Sequence, residues 1–231
     1  MLGPPDGQQL RARLADARLL LLFTPELAQD PWAALASALP HVDIVQVRPK
    51  PLGDASPDAN PAVSEARACC DAARRVLELA ADLGDAAPLI MIDDRVDVAR
   101  VLWPEGLAGV HLGQDDCSVQ TAREVLGPDP LVGLSTHDPV QAVTAAEQAV
   151  DYLGFGPVYA APTKGYATGL GPERAWVVAD TLDLPVFPIG GIDEQRIAEL
   201  GRIGRAAVGS AILSAADPAA AAQALRTTLT P

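Results

Sequence analysis

Residues 131–149 read Leu131-Val132-Gly133-Leu134-Ser135-Thr136-His137-Asp138-Pro139-Val140-Gln141-Ala142-Val143-Thr144-Ala145-Ala146-Glu147-Gln148-Ala149. Every part of one strand–helix unit is in that stretch. Leu131–Leu134 is a short, almost unbroken apolar run, the pattern of a parallel strand covered by helices. Three polar residues follow it. Asp138-Pro139 then reads as a helix start: the acid accepts from a free N–H, and proline occupies the first position, where its missing N–H costs nothing. Pro139–Ala149 continues as an Ala-rich segment with a helical period.

The same unit recurs on both sides. Apolar runs stand at Leu19–Phe23, Val42–Val47, Leu89–Ile92, Gly109–Leu112, Tyr152–Phe155, Val186–Ile189 and Ala206–Val208. Between them lie helical candidates at Trp32–Leu39, Val63–Leu83, Val96–Leu102, Val119–Leu126, Pro172–Leu182, Glu194–Ile203 and Pro218–Leu229. Asp217-Pro218 repeats the start signal, and Asp193 is placed to cap the helix expected at Glu194. Eight units in strict alternation predict an α/β fold, a (β/α)8 TIM barrel of parallel strands, spanning 1–231 as one domain. A barrel of this class needs roughly 200–250 residues, and the chain has 231. The Pro- and Gly-rich stretch 49–61 reads as a long loop, either a lid or a surface insertion.

Apolar residues make up 49% of the chain, enough for a large core. The net charge of −13 and a pI near 4.5 disfavour nucleic acid as a partner. The longest apolar run near the start, Leu19–Phe23, is too short to span a bilayer. Cys69, Cys70 and Cys117 are odd in number and two are adjacent, so no disulfide framework is implied. These features point to a cytoplasmic protein acting on small molecules. Its oligomeric state is open, a homo-oligomer included.

In a parallel barrel the active site lies at the C-terminal ends of the strands. The polar residues there form a pattern. Gln46, Arg48 and Lys50 alternate along the second strand and fall on one side, a donor amide and two cations that suit a phosphate or diphosphate. A solvated basic strand end is the plain alternative. Asp93-Asp94 follows the third run, and Gly113-Gln114-Asp115-Asp116 follows the fourth. Asp94 and Asp116, at neighbouring strand ends, form the preferred carboxylate pair for magnesium, which takes one or two carboxylates and shares substrate phosphates. Capping acids in solvated turns would look similar. Ser135 and His137 follow the fifth run, with no acid placed to complete a hydrolytic triad. A long loop after the sixth run sets Thr163 beside Lys164. Gly190-Gly191 after the seventh run and Gly209-Ser210 after the eighth, each expected to open onto a helix, resemble the phosphate site of barrel enzymes.

Gln46-Val47-Arg48-Pro49-Lys50, Gly109-Val110-His111-Leu112-Gly113-Gln114-Asp115-Asp116, Gly133-Leu134-Ser135-Thr136-His137, Gly154-Phe155-Gly156-Pro157-Val158 with Pro162-Thr163-Lys164, and Ile189-Gly190-Gly191-Ile192 recur in this order and spacing in one group of proteins. From about residue 18 to 226 the chain resembles the thiamine-phosphate synthase/TenI-like superfamily. The resemblance implies a barrel enzyme, a transferase joining hydroxymethylpyrimidine diphosphate to thiazole phosphate with release of pyrophosphate. It implies a dissociative, Mg2+-assisted reaction that needs no covalent nucleophile. By position, Gln46, Arg48, Lys50 and Lys164 match the diphosphate-binding residues, with Arg48, Lys50, Ser135 and Lys164 the catalytic set. Asp94 and Asp116 match the magnesium ligands, Asp93, Ser135 and Thr163 further substrate contacts, and Gly191, Gly209 and Ser210 the thiazole-phosphate cradle.

The chain departs from that pattern at Asp93, where the family has Asn, at Ala161, where it has Thr, and at Thr24-Pro25, where it has Thr-Asp. An ionised carboxylate cannot donate to a diphosphate oxygen as an amide does. Two other readings keep the barrel: a thiazole tautomerase, with His137 as proton shuttle, and a barrel that binds phosphorylated ligands without turnover. Asp94, Gln114, Asp115, Asp116, Arg48 and Lys164 favour the synthase.

Overall fold

The computed structural model describes residues 5–49, 61–160 and 168–229. Eight parallel strands form one sheet: β1 Leu19–Phe23, β2 Ile44–Val47, β3 Leu89–Asp93, β4 Gly109–Leu112, β5 Leu131–Thr136, β6 Tyr152–Phe155, β7 Val186–Pro188 and β8 Ala206–Val208. Strands pair in sequence order, β1 also pairs with β8, and a bridge between Ile189 and Ala207 brings the two ends together. The sheet is therefore the barrel that the alternation implied. The helices are α1 Gly7–Asp16, α2 Pro31–Ala38, α3 Pro61–Ala81, α4 Val96–Leu102, α5 Val119–Leu126, α6 Pro139–Ala146, α7 Pro172–Thr181, α8 Ser210–Leu213 and α9 Pro218–Thr228.

The pleat sorts each apolar run into two sets. In β1, Leu19, Leu21 and Phe23 pack outward against the helices, while Leu20 and Leu22 fill the barrel. Val45 and Val47 of β2 and Ile90 and Ile92 of β3 likewise face the helices; Ile44, Leu89 and Met91 face in. Both faces of every strand are covered, which explains why the runs are continuous rather than alternating. The inward positions then decide the site. Asp93, His111, Gly133 and Tyr152 are register partners on β3, β4, β5 and β6 and form one row of the interior.

The start signals at Asp138 and Asp217 work as expected: their carboxylates accept from Gln141 N and Ala220 N. Two helical expectations change. Glu194–Ile203 is not an α-helix; only a 3-10 turn forms at Ile197–Leu200. Asp193 caps the turn just before it, accepting from Gln195 N and Arg196 N. Gly201 and Gly204, the latter at φ +67°, lower helix propensity and end the segment early. Gly190-Gly191 consequently opens onto a turn, whereas Gly209 does open onto the short helix α8. The second change is α1, which the sequence pattern did not reveal. Asp6 caps it, accepting from Gln8 N and Gln9 N, and Leu10 and Leu14 close the lower end of the barrel against the inward-facing set. Two leucines four apart make too narrow a stripe to stand out.

Asp151, with a side chain 8% exposed, anchors this lower end. It accepts from Arg11 Nε at 2.8 Å, Arg123 Nη2 at 2.6 Å and Val132 N at 2.7 Å. Removing one partner of a mostly buried pair strands the others. Asp151→Ala is expected to lower the unfolding free energy by about 3 kcal/mol in denaturant titration, with turnover of the remaining folded protein unchanged.

Candidate active site at the barrel mouth

The C-terminal strand ends open into two adjoining cavities, each of about 360 Å³, that share Arg48, Asp93, Asp94 and Gly190. The first is bounded by Thr24, Leu27, Gly191, Gly209 and Ser210. Gln46, His111, Asp116, Ser135 and His137 bound the second. The residues named from strand ends are thus brought to one mouth. Lys50, Thr163 and Lys164 lie outside the described residues, as do Ala161 and positions 50–60 of the loop read at 49–61.

At the end of β2, Gln46 is buried and Arg48 is 31% exposed along its side chain. Asp93 ties them together. Its Oδ1 accepts from Gln46 Nε2 and its Oδ2 from Arg48 Nε at 2.6 Å. The acid that replaces the family's amide is therefore an acceptor for two basic-pole side chains. It orients the Gln46 amide, because a carboxylate accepts only from the nitrogen end. It also takes the Nε edge of the guanidinium of Arg48, a residue that lines both cavities.

Asp94 follows at φ +60°, the left-handed region that Asp tolerates better than most residues. Its N–H donates to His111 O at 2.7 Å, and Arg95 N donates to Asp93 O at 2.7 Å. This tight turn sets the Asp94 carboxyl against Asp116. Asp116 is held by Gly113 N, which donates to its Oδ2 at 2.8 Å. A Cβ on Gly113 would sit 2.6 Å from that oxygen, so a side chain there would displace the Asp116 carboxylate from its present position. Desolvation, then the Asp93 charge, then the hydrogen bond and charge of Asp116 push the Asp94 carboxyl up to about 7. Two carboxyls forced together at adjacent strand ends fit a divalent cation, which would offset their repulsion. Arg95 is not part of this pole: Asp97 holds it through Nε at 2.8 Å and Nη2 at 2.5 Å.

Below the carboxylates lies a chain of neutral groups. His111 is 5% exposed; its Nδ1 is 3.0 Å from Tyr152 Oη and its Nε2 is 2.9 Å from Ser135 Oγ. The Ser135 carbonyl accepts from Gln114 Nε2 at 2.5 Å. His137 leans the other way, with Nδ1 2.7 Å from the Gly156 carbonyl. A carbonyl only accepts, so Nδ1 carries the hydrogen there. Tyr152 escaped the sequence reading, since it stood inside an apolar run. Its inward alternation with Gly154 was the available signal. Among the described residues no group of three or more His, Cys, Asp or Glu is arranged to hold a metal ion.

On the opposite wall, Gly190 and Gly191 adopt φ +99° and +62°. A Cβ on Gly191 would meet Ala160 O at 2.6 Å and Tyr159 Cβ at 2.9 Å. Arg196 Nη1 donates to Gly191 O at 2.7 Å and fixes the turn from outside. Gly209 has φ −121° and ψ −84°, outside the usual helix and strand regions, and a Cβ there would have no neighbour nearer than 3.5 Å. The wall has backbone amides and no Lys or Arg among its described lining residues except the shared Arg48 and the clamped Arg95.

Residues 20–215 match the family described as thiamine monophosphate synthase. A thiamine-phosphate synthase of Gloeobacter violaceus is 40% identical over 92% of this chain, which spans 57% of that relative's length. A thiamine-phosphate synthase of Mycobacterium bovis is 41% identical over 95% of this chain and 97% of its own. The structure of thiamine phosphate pyrophosphorylase from Pyrococcus furiosus superposes with a TM-score of 0.75, at 26% identity, over 95% of this chain and 97% of that one. A family match over most of its length, together with a shared barrel, shows that this chain belongs to the thiamine monophosphate synthase family.

Proposed function

We propose that the protein is a thiamine-phosphate synthase, a single-domain transferase that joins hydroxymethylpyrimidine diphosphate to thiazole phosphate and releases pyrophosphate. One observation carries the reading: a carboxylate pair, Asp94 with Asp116, stands beside Arg48 at one side of the mouth, and glycine amides stand at the other. Asp94 and Asp116 would hold Mg2+, which would neutralise charge on the departing diphosphate. A proton-transfer reaction needs no divalent cation, so a carboxylate pair that fits one favours the synthase over the tautomerase reading.

The chain's own groups do the rest. Arg48, joined by Lys50 and Lys164 in the family pattern, draws the diphosphate to the carboxylate side and stabilises charge as the C–O bond breaks. Gln46 and Ser135 orient the same partner. Gly191, Gly209 and Ser210 offer backbone N–H groups to the thiazole phosphate, keeping two anions on separate walls. Leu20, Phe187 and Ile189 line the space between and exclude water from a cationic intermediate. No nucleophile is required, in keeping with the absence of a triad among the described residues. The free thiols of Cys69, Cys70 and Cys117 fit a reducing, cytoplasmic setting. No helix of the described residues is long and apolar enough to cross a membrane.

Incubation with both partners and Mg2+ should yield thiamine phosphate and pyrophosphate in equal amounts; failure to form either would end this reading. The two-wall arrangement has its own test. Gly191 is a poor probe, because any side chain there strains the backbone. Gly209→Ala keeps φ negative, brings the new Cβ no nearer than 3.5 Å to any neighbour and narrows only the glycine wall. It should raise KM for the thiazole partner about tenfold and leave that of the diphosphate partner within about twofold, since one lost charge-assisted bond is worth roughly 1.5 kcal/mol. A rise in both constants would contradict separate walls.

A further inference from the structure

The contacts of His111 have a direction that proton counting decides. Tyr152 is fully buried, and among the described residues its hydroxyl has one hydrogen-bond partner, His111 Nδ1. Burial holds the phenol proton on the oxygen, well above its ordinary pKa. A buried hydroxyl proton needs an acceptor. Tyr152 therefore donates and Nδ1 accepts. A neutral imidazole carries one N–H, which then falls on Nε2. Nε2 faces Ser135 Oγ at 2.9 Å and donates to it. With its oxygen engaged as an acceptor, Ser135 keeps its own hydrogen for the cavity it lines.

Space for this chain is built in. A Cβ at Gly133 would overlap Tyr152 Cζ at 2.3 Å and His111 Nδ1 at 2.6 Å, and one at Gly154 would meet His111 Cε1 at 3.3 Å. Phe187 packs edge-on against Tyr152, with centroids 5.7 Å apart, and fixes the phenol ring.

We propose that Tyr152 is a positioning residue: acting through His111, it sets the direction of the hydrogen-bond chain and makes the Ser135 hydroxyl a donor into the mouth. A donor there selects a substrate atom with a lone pair, such as a diphosphate oxygen. The ligand side of this inference rests on the synthase reading; the direction of the chain does not.

Nitrogen-15 spectra of the histidine rings in the unmodified protein, assigned by substituting His41 and His137 in turn, read the tautomer directly. Nδ1 of His111 is expected to resonate as an unprotonated nitrogen and Nε2 as a protonated one. Tyr152→Phe should mix or reverse that pattern and lower kcat/KM about tenfold, the worth of one bond to a charged group. Added to Ser135→Ala, it should cause no further loss, because both changes remove the same donor. A hydrogen on Nδ1 in the unmodified protein would overturn the proposal, and so would losses that multiply in the double variant. The spectra need no substrate. Absence of turnover with both partners would therefore remove the synthase reading while the tautomer result stood.

Discussion

Asp116→Ala is expected to lower magnesium-dependent turnover at least about a hundredfold, the scale of losing a preorganised electrostatic partner of a developing charge. The barrel should remain folded. Asp116 is exposed, and the bonds it gives up are the one from Gly113 N in the same turn and the one with the Asp94 carboxyl. Its loss also relieves the crowding that raises the Asp94 carboxyl. Thermal unfolding of the variant should therefore match the parent within about 1 kcal/mol, an exposed turn bond offset by less repulsion. Steady-state rates across a magnesium titration, set beside melting curves, separate the two effects. Full turnover in the variant, or in the parent with EDTA, would remove the cation from the proposed function.

Gly133→Ala should have the largest effect on stability. The new Cβ would lie 2.3 Å from Tyr152 Cζ, 2.5 Å from its Cε1 and 2.6 Å from His111 Nδ1. Neither ring has room to retreat: Tyr152 is 0% exposed and packs on Phe187, and His111 is bonded at both nitrogens. Overpacking a core costs roughly 1–3 kcal/mol, and breaking the His111 bonds adds to that. A loss of about 3 kcal/mol in denaturant titration is expected, with turnover of the folded fraction down more than tenfold. Stability equal to the parent's would show that the interior row is not packed as described.

Strand existence was legible because burial on both faces leaves a continuous apolar run, and eight such runs survive in the sequence. Helix starts were legible where an acid preceded a proline, as at Asp138 and Asp217. Glu194–Ile203 misled, since its apolar period continued past glycines that end the helix locally. The carboxylates Asp94 and Asp116 could be singled out because strand order alone makes their strand ends neighbours. Their mutual approach required the left-handed turn at Asp94 and the Gly113 N–H that holds Asp116.

Asp93 shows the limit most clearly. Read alone, it was an amide lost from a diphosphate site. In the barrel it is the acceptor that joins Gln46 to Arg48, residues more than forty positions away in sequence. The chain by itself determined the parallel barrel and the end at which the chemistry gathers. A period of two encodes inside against outside, and it encodes nothing about height. Height comes from the stagger between neighbouring strands as the sheet closes. Only that stagger put His111 level with Gly133 and Tyr152 and one pleat below Ser135, and so decided which buried polar groups would become partners.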